Sequence, residues 1–224
     1  RESDSPFVDS VTCGYTVGRG SVIRPAESHW HMVFVRTNGK THSIIAGPLK
    51  TSGTVQFSEG AEILWLKFKL GTCFSHLPMR DFVDVETVLP DAASHAFWLK
   101  GSAWQHPDFE NSDTFVERLV RQEILLHDPV VEAVLQGHPL DLSDRTVRHR
   151  FAQATGLTQS HVEQFQRAQR AAELLRQGVP ILDTVYDLGS FAHPHLTRSL
   201  KQFVGYTPAQ LIRLHLPDNG TVGS

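Results

Sequence analysis

Ten residues near Leu142–Phe151 carry the clearest chemical pattern in the chain. They read Leu-Ser-Asp-Arg-Thr-Val-Arg-His-Arg-Phe. On a helix, Arg145, Arg148 and His149 share one face, because positions three and four apart are neighbours. Such a face suits the major groove of DNA, where a guanidinium forks onto guanine. Arg150 is assigned to phosphate, a contact that positions without specifying. A second segment, His193 to Phe203, repeats the logic. Leu196, Leu200 and Phe203 form its apolar stripe. His193, His195, Thr197 and Arg198 are left on the open side, and Lys201 is a second phosphate candidate. The competing reading of each segment alone is a solvated helix face. With histidines in both sets, binding is expected to strengthen as pH falls.

A further set lies near the N-terminus. His29 and His31, two apart on a strand, face the same side. His42 on a return strand is a third histidine. No Glu follows His31 at metal-site spacing, so no metal is assigned. Trp30, Phe34 and Trp65 could join the two histidines in lining a ligand pocket; the alternative for the aromatics is plain core. No nucleophile elbow, phosphate loop or paired-carboxylate site is present, and the chain is not read as an enzyme. No cofactor is expected.

The elements that must hold these residues follow from local signals. Ser143 is a good N-cap with Leu142 before it as a staple onto Val147, and Gly156 ends the helix. Val147 and Phe151, four apart, turn inward. Gln159 to Gln177 reads as one helix with Val162, Phe165, Ala168, Ala172 and Leu175 as its stripe. At 1.5 Å per residue it is roughly 30 Å long, close to the ~34 Å between successive major grooves. Pro180 to Gly189 and then His193 to Gly205 form a second helix-turn-helix, with Pro194 at the first helical position. Asp128 to Leu135 is the first helix of the first unit.

These residues resemble the DNA-binding domain of AraC/XylS-type transcription regulators. The resemblance rests on Leu142-Ser143-x-Arg145-Thr146-Val147-x-His149-Arg150-Phe151, Thr155-Gly156-Leu157, Arg167 to Leu175, Gly189, His195-Leu196-Thr197-Arg198-x-x-Lys201 and Gly205-Tyr206-Thr207-Pro208-Ala209-Gln210. It covers about the last hundred residues. The chain departs from the family pattern at Ser190, where an aromatic is usual, and at Ala192, where an acid is usual; Phe191 is expected to take over the packing. The resemblance implies double-stranded DNA and RNA polymerase as partners. It also implies a cupin-like N-terminal domain that senses a small-molecule effector or pairs two copies of the chain.

Upstream, the pattern is β. Thr12 to Val17, His29 to Arg36, Lys40 to Ala46, Thr54 to Phe57 and Glu62 to Leu70 read as strands, with Asn38-Gly39 as a hairpin turn. In the last, Leu64, Leu66, Phe68 and Leu70 give one wholly apolar face. Ala92 to Lys100 and Thr114 to Leu126 read as helices, the second with Thr114 as N-cap and Glu117 at capping-box spacing. Residues 1–10 are expected to fray, and Gln105 to Asp113 is the linker candidate. The fold class is therefore α+β: a β-rich, cupin-like domain over residues 1–110, then an all-α domain over 111–224 with two helix-turn-helix units joined by a long helix.

Composition sets limits. Of the 224 residues, 40% are hydrophobic and 20% charged, which is ordinary for two modest cores. Net charge is -3, which excludes a chain that is basic throughout. Residues 115–224 carry 11 Lys/Arg against 11 Asp/Glu, so any DNA affinity must come from local clustering. Two cysteines, Cys13 and Cys73, and the absence of a signal peptide or long apolar run suit a reducing cytoplasm and no membrane span. The chain begins at Arg1 rather than Met, which reads as a processed or truncated start. Two further readings stay open: a cupin-type metalloenzyme with a helical appendage, and an interaction module that no longer reads DNA.

Overall fold

In the computed structural model, residues 1–93, 95–189 and 193–215 are described, with His193, Pro194 and His215 described by backbone alone. A β-rich region of antiparallel sheets comes first, and a helical region follows. Two compact units emerge. One takes Arg1–Val22, Ser28–Leu49 and Gln56–Gln159; the other takes Ile23–Glu27, Lys50–Val55 and the described part of Ser160–Ser224.

The first unit is built on a five-stranded sheet. Its strands are β1 (Val8–Tyr15), β3 (His31–Thr37), β4 (Lys40–Ala46), β6 (Glu62–Phe68) and β8 (Glu86–Val88), in the order β1-β6-β3-β4-β8. The hairpin between β3 and β4 turns at Asn38 and Gly39, with φ of 53° and 75°. Those positive values are what a two-residue turn matching strand twist requires. Strand periodicity then sorts the sides. Met32, Phe34, Ser43, Ile45, Leu64, Leu66 and Phe68 are buried, while Trp65 and Lys67 lie on the opposite face. Onto the inner face pack Phe97, Leu99, Trp104, Phe115 and Leu119.

Smaller pairings complete the strands. β2 (Gly20–Arg24) pairs with β5 (Gly53–Phe57), and β7 (Thr72–Phe74) pairs with β12 (Leu125–His127). The order β11-β10-β9 joins β9 (Asp91–Ala93), β10 (Ala96–Leu99) and β11 (Ser102–Gln105). This overturns the helix expected over Ala92 to Lys100. Phe97 and Leu99 are buried while Trp98 is exposed, an alternation of period two. Lys100 and Gly101 then turn the chain with φ of 50° and 73°. Burial against the sheet overrides the helical propensity of the alanines.

Two further expectations change. Helix α1 (Ser112–Arg121) starts and stops before the span read from sequence, and Asn111 rather than Thr114 is its N-cap residue. Glu123 sits at φ 52°, which breaks the helix and lets Leu125 to His127 run as a strand. The N-terminal residues are held rather than frayed. The Arg1 amino group donates to Val11 O at 2.8 Å, and its guanidinium pairs with Asp113 at 2.7 Å. After β12 come α2 (Pro129–Leu135) and α3 (Asp144–Thr155), both in this unit.

The second unit is mainly helical: α4 (Gln159–Arg176), α5 (Ile181–Asp187), α6 (His193–Phe203) and α7 (Pro208–His215). Phe165, Ala168, Ala172, Leu175, Leu196, Leu200, Phe203 and Leu211 make its core, together with Ala26 from an N-terminal segment.

Candidate nucleic-acid interface

Helix α3 is set up as its sequence implies. The Ser143 hydroxyl accepts from Thr146 N at 3.2 Å, and Gly156 closes the helix in the left-handed region at φ 75°. That is one donor satisfied at the start and a standard carbonyl cap at the end. Phe151 and Ala154 are buried and Val147 is half-buried. Arg145, Arg148 and His149 are exposed on the free side. The Arg148 Nε donates to Asp144 O at 3.2 Å, which lays the side chain back along its own helix.

Arg150 behaves differently from its neighbours. Its Nε donates to Asp128 Oδ2 at 3.0 Å and its terminal nitrogen to Oδ1 at 2.7 Å. The phosphate assignment thus meets a guanidinium already forked onto a carboxylate. Asp128 also caps α2, accepting from Val130 N at 2.9 Å. Sequence reasoning passed over Asp128 as a partner. The available signal was its N-cap position before Pro129, which fixes a carboxylate beside the next helix.

Helix α6 buries Leu196, Leu200 and Phe203 completely. His195, Arg198 and Lys201 are exposed and Thr197 is half-buried. The side chain of His193 lies outside the described atoms, as do Ser190, Phe191 and Ala192. Lys201 Nζ donates to Gly205 O at 3.4 Å. The last four carbonyls of α6, orphaned in any helix, all find donors. Leu200 O accepts from Val204 and Gly205. Lys201 O accepts the Ser52 hydroxyl at 3.0 Å. Gln202 O accepts Ser52 N, and Phe203 O accepts Ala26 N, both at 2.7 Å. A Cβ on Gly205 would stand 2.4 Å from Ile23 Cγ2, so this end of α6 is closely enclosed.

The N-terminal candidates do not form one cluster. Trp30 is core: it stacks on Phe68 at 3.9 Å and its Nε1 donates to Thr72 O at 2.6 Å. Trp65 lies half-exposed on the other face of the sheet. His29 precedes the strand that holds His31, and its Nδ1 is 3.3 Å from the Ser28 hydroxyl. His31 is opposite Ala46 while His42 is opposite Val35, four residues along, or about 13 Å at the strand rise. Among the described residues, no cluster of three or more His, Cys, Asp or Glu is placed to hold a metal.

A cavity of about 1000 Å³ does exist in the first unit, and of the five candidates only Phe34 lines it. Its walls include Tyr15, Ile63, Leu64 and Phe109, with Arg36 and Glu62 paired at the rim. His106 stands in this wall, stacked on Phe97, and neither ring nitrogen has a hydrogen-bond partner among the described residues. Burial holds its pKa below the usual histidine value. The sequence signal for this cavity was weak, because its residues come from β1, the β3–β4 hairpin, β6 and the loops before β10 and after β11.

Residues 138–213 match the family model of a helix-turn-helix domain. Among solved structures, the apo form of a ToxT variant from Vibrio cholerae is similar at 8% identity, covering 96% of this chain and 100% of that one, with a TM-score of 0.41. No curated protein matches the chain. None of the described helices is long and apolar enough to cross a membrane.

Proposed function

We propose that this chain is a DNA-binding transcription regulator of AraC type, a reading supported by the helix-turn-helix match at residues 138–213, and that α3 and α6 read adjacent major grooves of one duplex. The observation that supports this most is the sorting of side chains on α3. Phe151 and Ala154 face inward, and Arg145, Arg148 and His149 are exposed. The same sorting recurs on α6 with His195, Thr197 and Arg198 outside. The spacer α4 has 18 residues, or about 27 Å of rise, within reach of the ~34 Å groove repeat. Each base contact from these side chains is worth roughly 1–3 kcal/mol. Lys201 contacts phosphate.

Control by a small-molecule effector is assigned to the cavity beside Phe34 and His106. Sensing belongs to residues 1–110 and DNA reading to 111–224. RNA polymerase is the downstream partner, a second copy of the chain binds where half-sites repeat, and the protein works in the cytoplasm.

Selection of binding sites from random duplex DNA tests the groove reading. Protection in two patches one helical turn apart is expected, about 10 bp centre to centre. Arg148→Ala should erase one patch and Arg198→Ala the other. Failure to bind any duplex at 50 mM salt, or a single patch, overturns the reading. An effector in the cavity should shift the affinity, and His106→Ala should abolish that shift.

A further inference from the structure

We propose that Arg150 sets the pose of α3 through Asp128 and makes no phosphate contact of its own. The proposal rests on the DNA-reading function above, and it revises the role that the sequence pattern suggested for Arg150.

Three observations converge. The first is the fork. Both hydrogen bonds from Arg150 end on the two oxygens of one carboxylate, at 3.0 and 2.7 Å. Two parallel bonds fix direction as well as distance, which a single contact does not. The second is what else that carboxylate holds. Asp128 Oδ1 accepts from Val130 N at 2.9 Å, and Asp128 N donates to Gly71 O at 2.9 Å. One residue therefore joins the start of α2, the middle of α3 and the turn before β7. The third is angle. At 100° per residue, Arg150 lies about 140° around the helix from Arg145, while Arg148 and His149 lie within about 60° of it. Arg150 lies within about 60° of Val147 and about 40° of Ala154, the inward side of the helix, away from Arg145 and His149.

Exposure fits the same account. The Asp128 side chain is 19% exposed and that of Arg150 is 39% exposed. For Arg150 to reach a phosphate it would leave a mostly buried carboxylate without its partner, which is the costly direction for such a pair. The far end of α3 is held separately: Gly156 is packed against the Met79 carbonyl and Val83. A short helix fixed at its end can still swing. A second attachment in its middle removes that freedom, so Arg145, Arg148 and His149 meet the groove with a set tilt.

The test uses the full chain and the duplex that the wild-type chain selects from random DNA. Asp128→Asn keeps a capping oxygen for Val130 and removes the charge; Arg150→Gln removes the fork. Each is expected to weaken binding about tenfold, and the double variant no more than either alone. Weakening should appear in the patch read by α3 and spare the one read by α6. The slope of log affinity against log salt should stay at the wild-type value, because a lost phosphate contact would lower it by about 0.9. Arg150→Lys, which keeps charge but cannot fork, should behave like Arg150→Gln. A slope reduced by about 0.9 in Arg150→Gln, with Asp128→Asn binding like wild type, gives Arg150 back to the DNA and overturns the proposal. So does equal loss in both patches, which would mean general destabilisation. A reading without DNA keeps the two ideas apart. In the free chain, amide exchange across α3 should rise in both variants while α6 is unchanged. If the wild type selects no duplex, the groove reading fails, and exchange still judges the clamp: unchanged exchange in α3 overturns it.

Discussion

Replacing Gly156 by alanine separates two costs that glycine avoids at the end of α3. The first is conformational: φ is 75°, in the left-handed region, where a side chain costs about 1 kcal/mol. The second is collision. An added Cβ would stand 2.7 Å from Val83 Cγ2 and 2.8 Å from the Met79 carbonyl oxygen. The valine methyl can move a little, but the carbonyl belongs to the backbone of a 3-10 turn whose Met79 and Phe82 are buried. Overpacking of that kind costs about 1–3 kcal/mol. Gly137, just after α2, isolates the first cost. Its φ is 70°, and an added Cβ there meets nothing within 4 Å. Gly137→Ala should therefore lose about 1 kcal/mol and Gly156→Ala about 3 kcal/mol. Urea unfolding followed by tryptophan fluorescence measures both, because Trp30, Trp65, Trp98 and Trp104, the chain's four tryptophans, all lie in the unit that holds the two glycines. With a slope near 2 kcal/mol per molar, the midpoints should fall by about 0.5 M and about 1.5 M. Equal midpoints for the two variants would refute the packing argument, and a milder Gly156→Ala would reverse it.

Iodoacetamide at pH 8 should label exposed Cys13 well before Cys73, whose thiol is pushed up to about 11 by burial and by the charge of Asp128. Peptide mass spectrometry reads the two rates, and similar rates count against it. Burial lowers the pKa of His106 and of His76, with Lys100 adding to the effect at His76. The unfolded chain then binds protons that the folded chain refuses, so the first unit should lose stability as pH falls below 6.5, and His106→Gln should flatten that slope. At Asp113 burial pushes the carboxyl up, but hydrogen bonds from Arg1 and Ser3 and the charge of Arg1 bring it below its ordinary 3.8. Its contribution is present above that value and lost as pH falls through the lowered one; Arg1→Ala should remove this acid-side loss in the same unfolding assay. Ser143→Ala removes the cap of α3, worth about 1 kcal/mol, and should cost about fivefold in affinity for the selected duplex.

What could be read from the sequence was whatever is decided within a few residues. Ser143 and Gly156 bound α3 because a cap hydroxyl and a left-handed glycine act locally. Asn38-Gly39 bent the chain for the same reason, and Leu64, Leu66 and Phe68 chose their face by period two. Distant partners decided the rest. Ala92 to Lys100 looks helical until Phe97 and Leu99 have a sheet to bury against. Trp30 is as good a pocket residue as a core one until Phe68 lies under it. Arg150 shows its charge but hides Asp128, 22 residues upstream. Arg1 is held by Asp113, with which it shares no local pattern. The cavity beside His106 has no motif, since five separate stretches build it.

The same limit bears on the second reading helix. A helix-turn-helix looks like a contiguous module, and α4 to α7 are indeed consecutive. Yet the carbonyls of Lys201, Gln202 and Phe203 take their donors from Ser52 and Ala26, some 150 residues upstream or more. A carbonyl buried without a donor costs about 1–3 kcal/mol. The enclosure also explains why Gly205 follows: a side chain there would meet Ile23. Segment Ile23–Glu27 thus adds Ala26 to a core whose other members all come after Gln159, while Lys50–Val55 supplies Ser52 as donor to the end of α6. A boundary drawn at residue 111 places these two segments before the cut and the helix end they serve after it. The physical unit that presents His195, Thr197 and Arg198 is the set of groups that satisfy one another's hydrogen bonds, and it is not a single run of sequence.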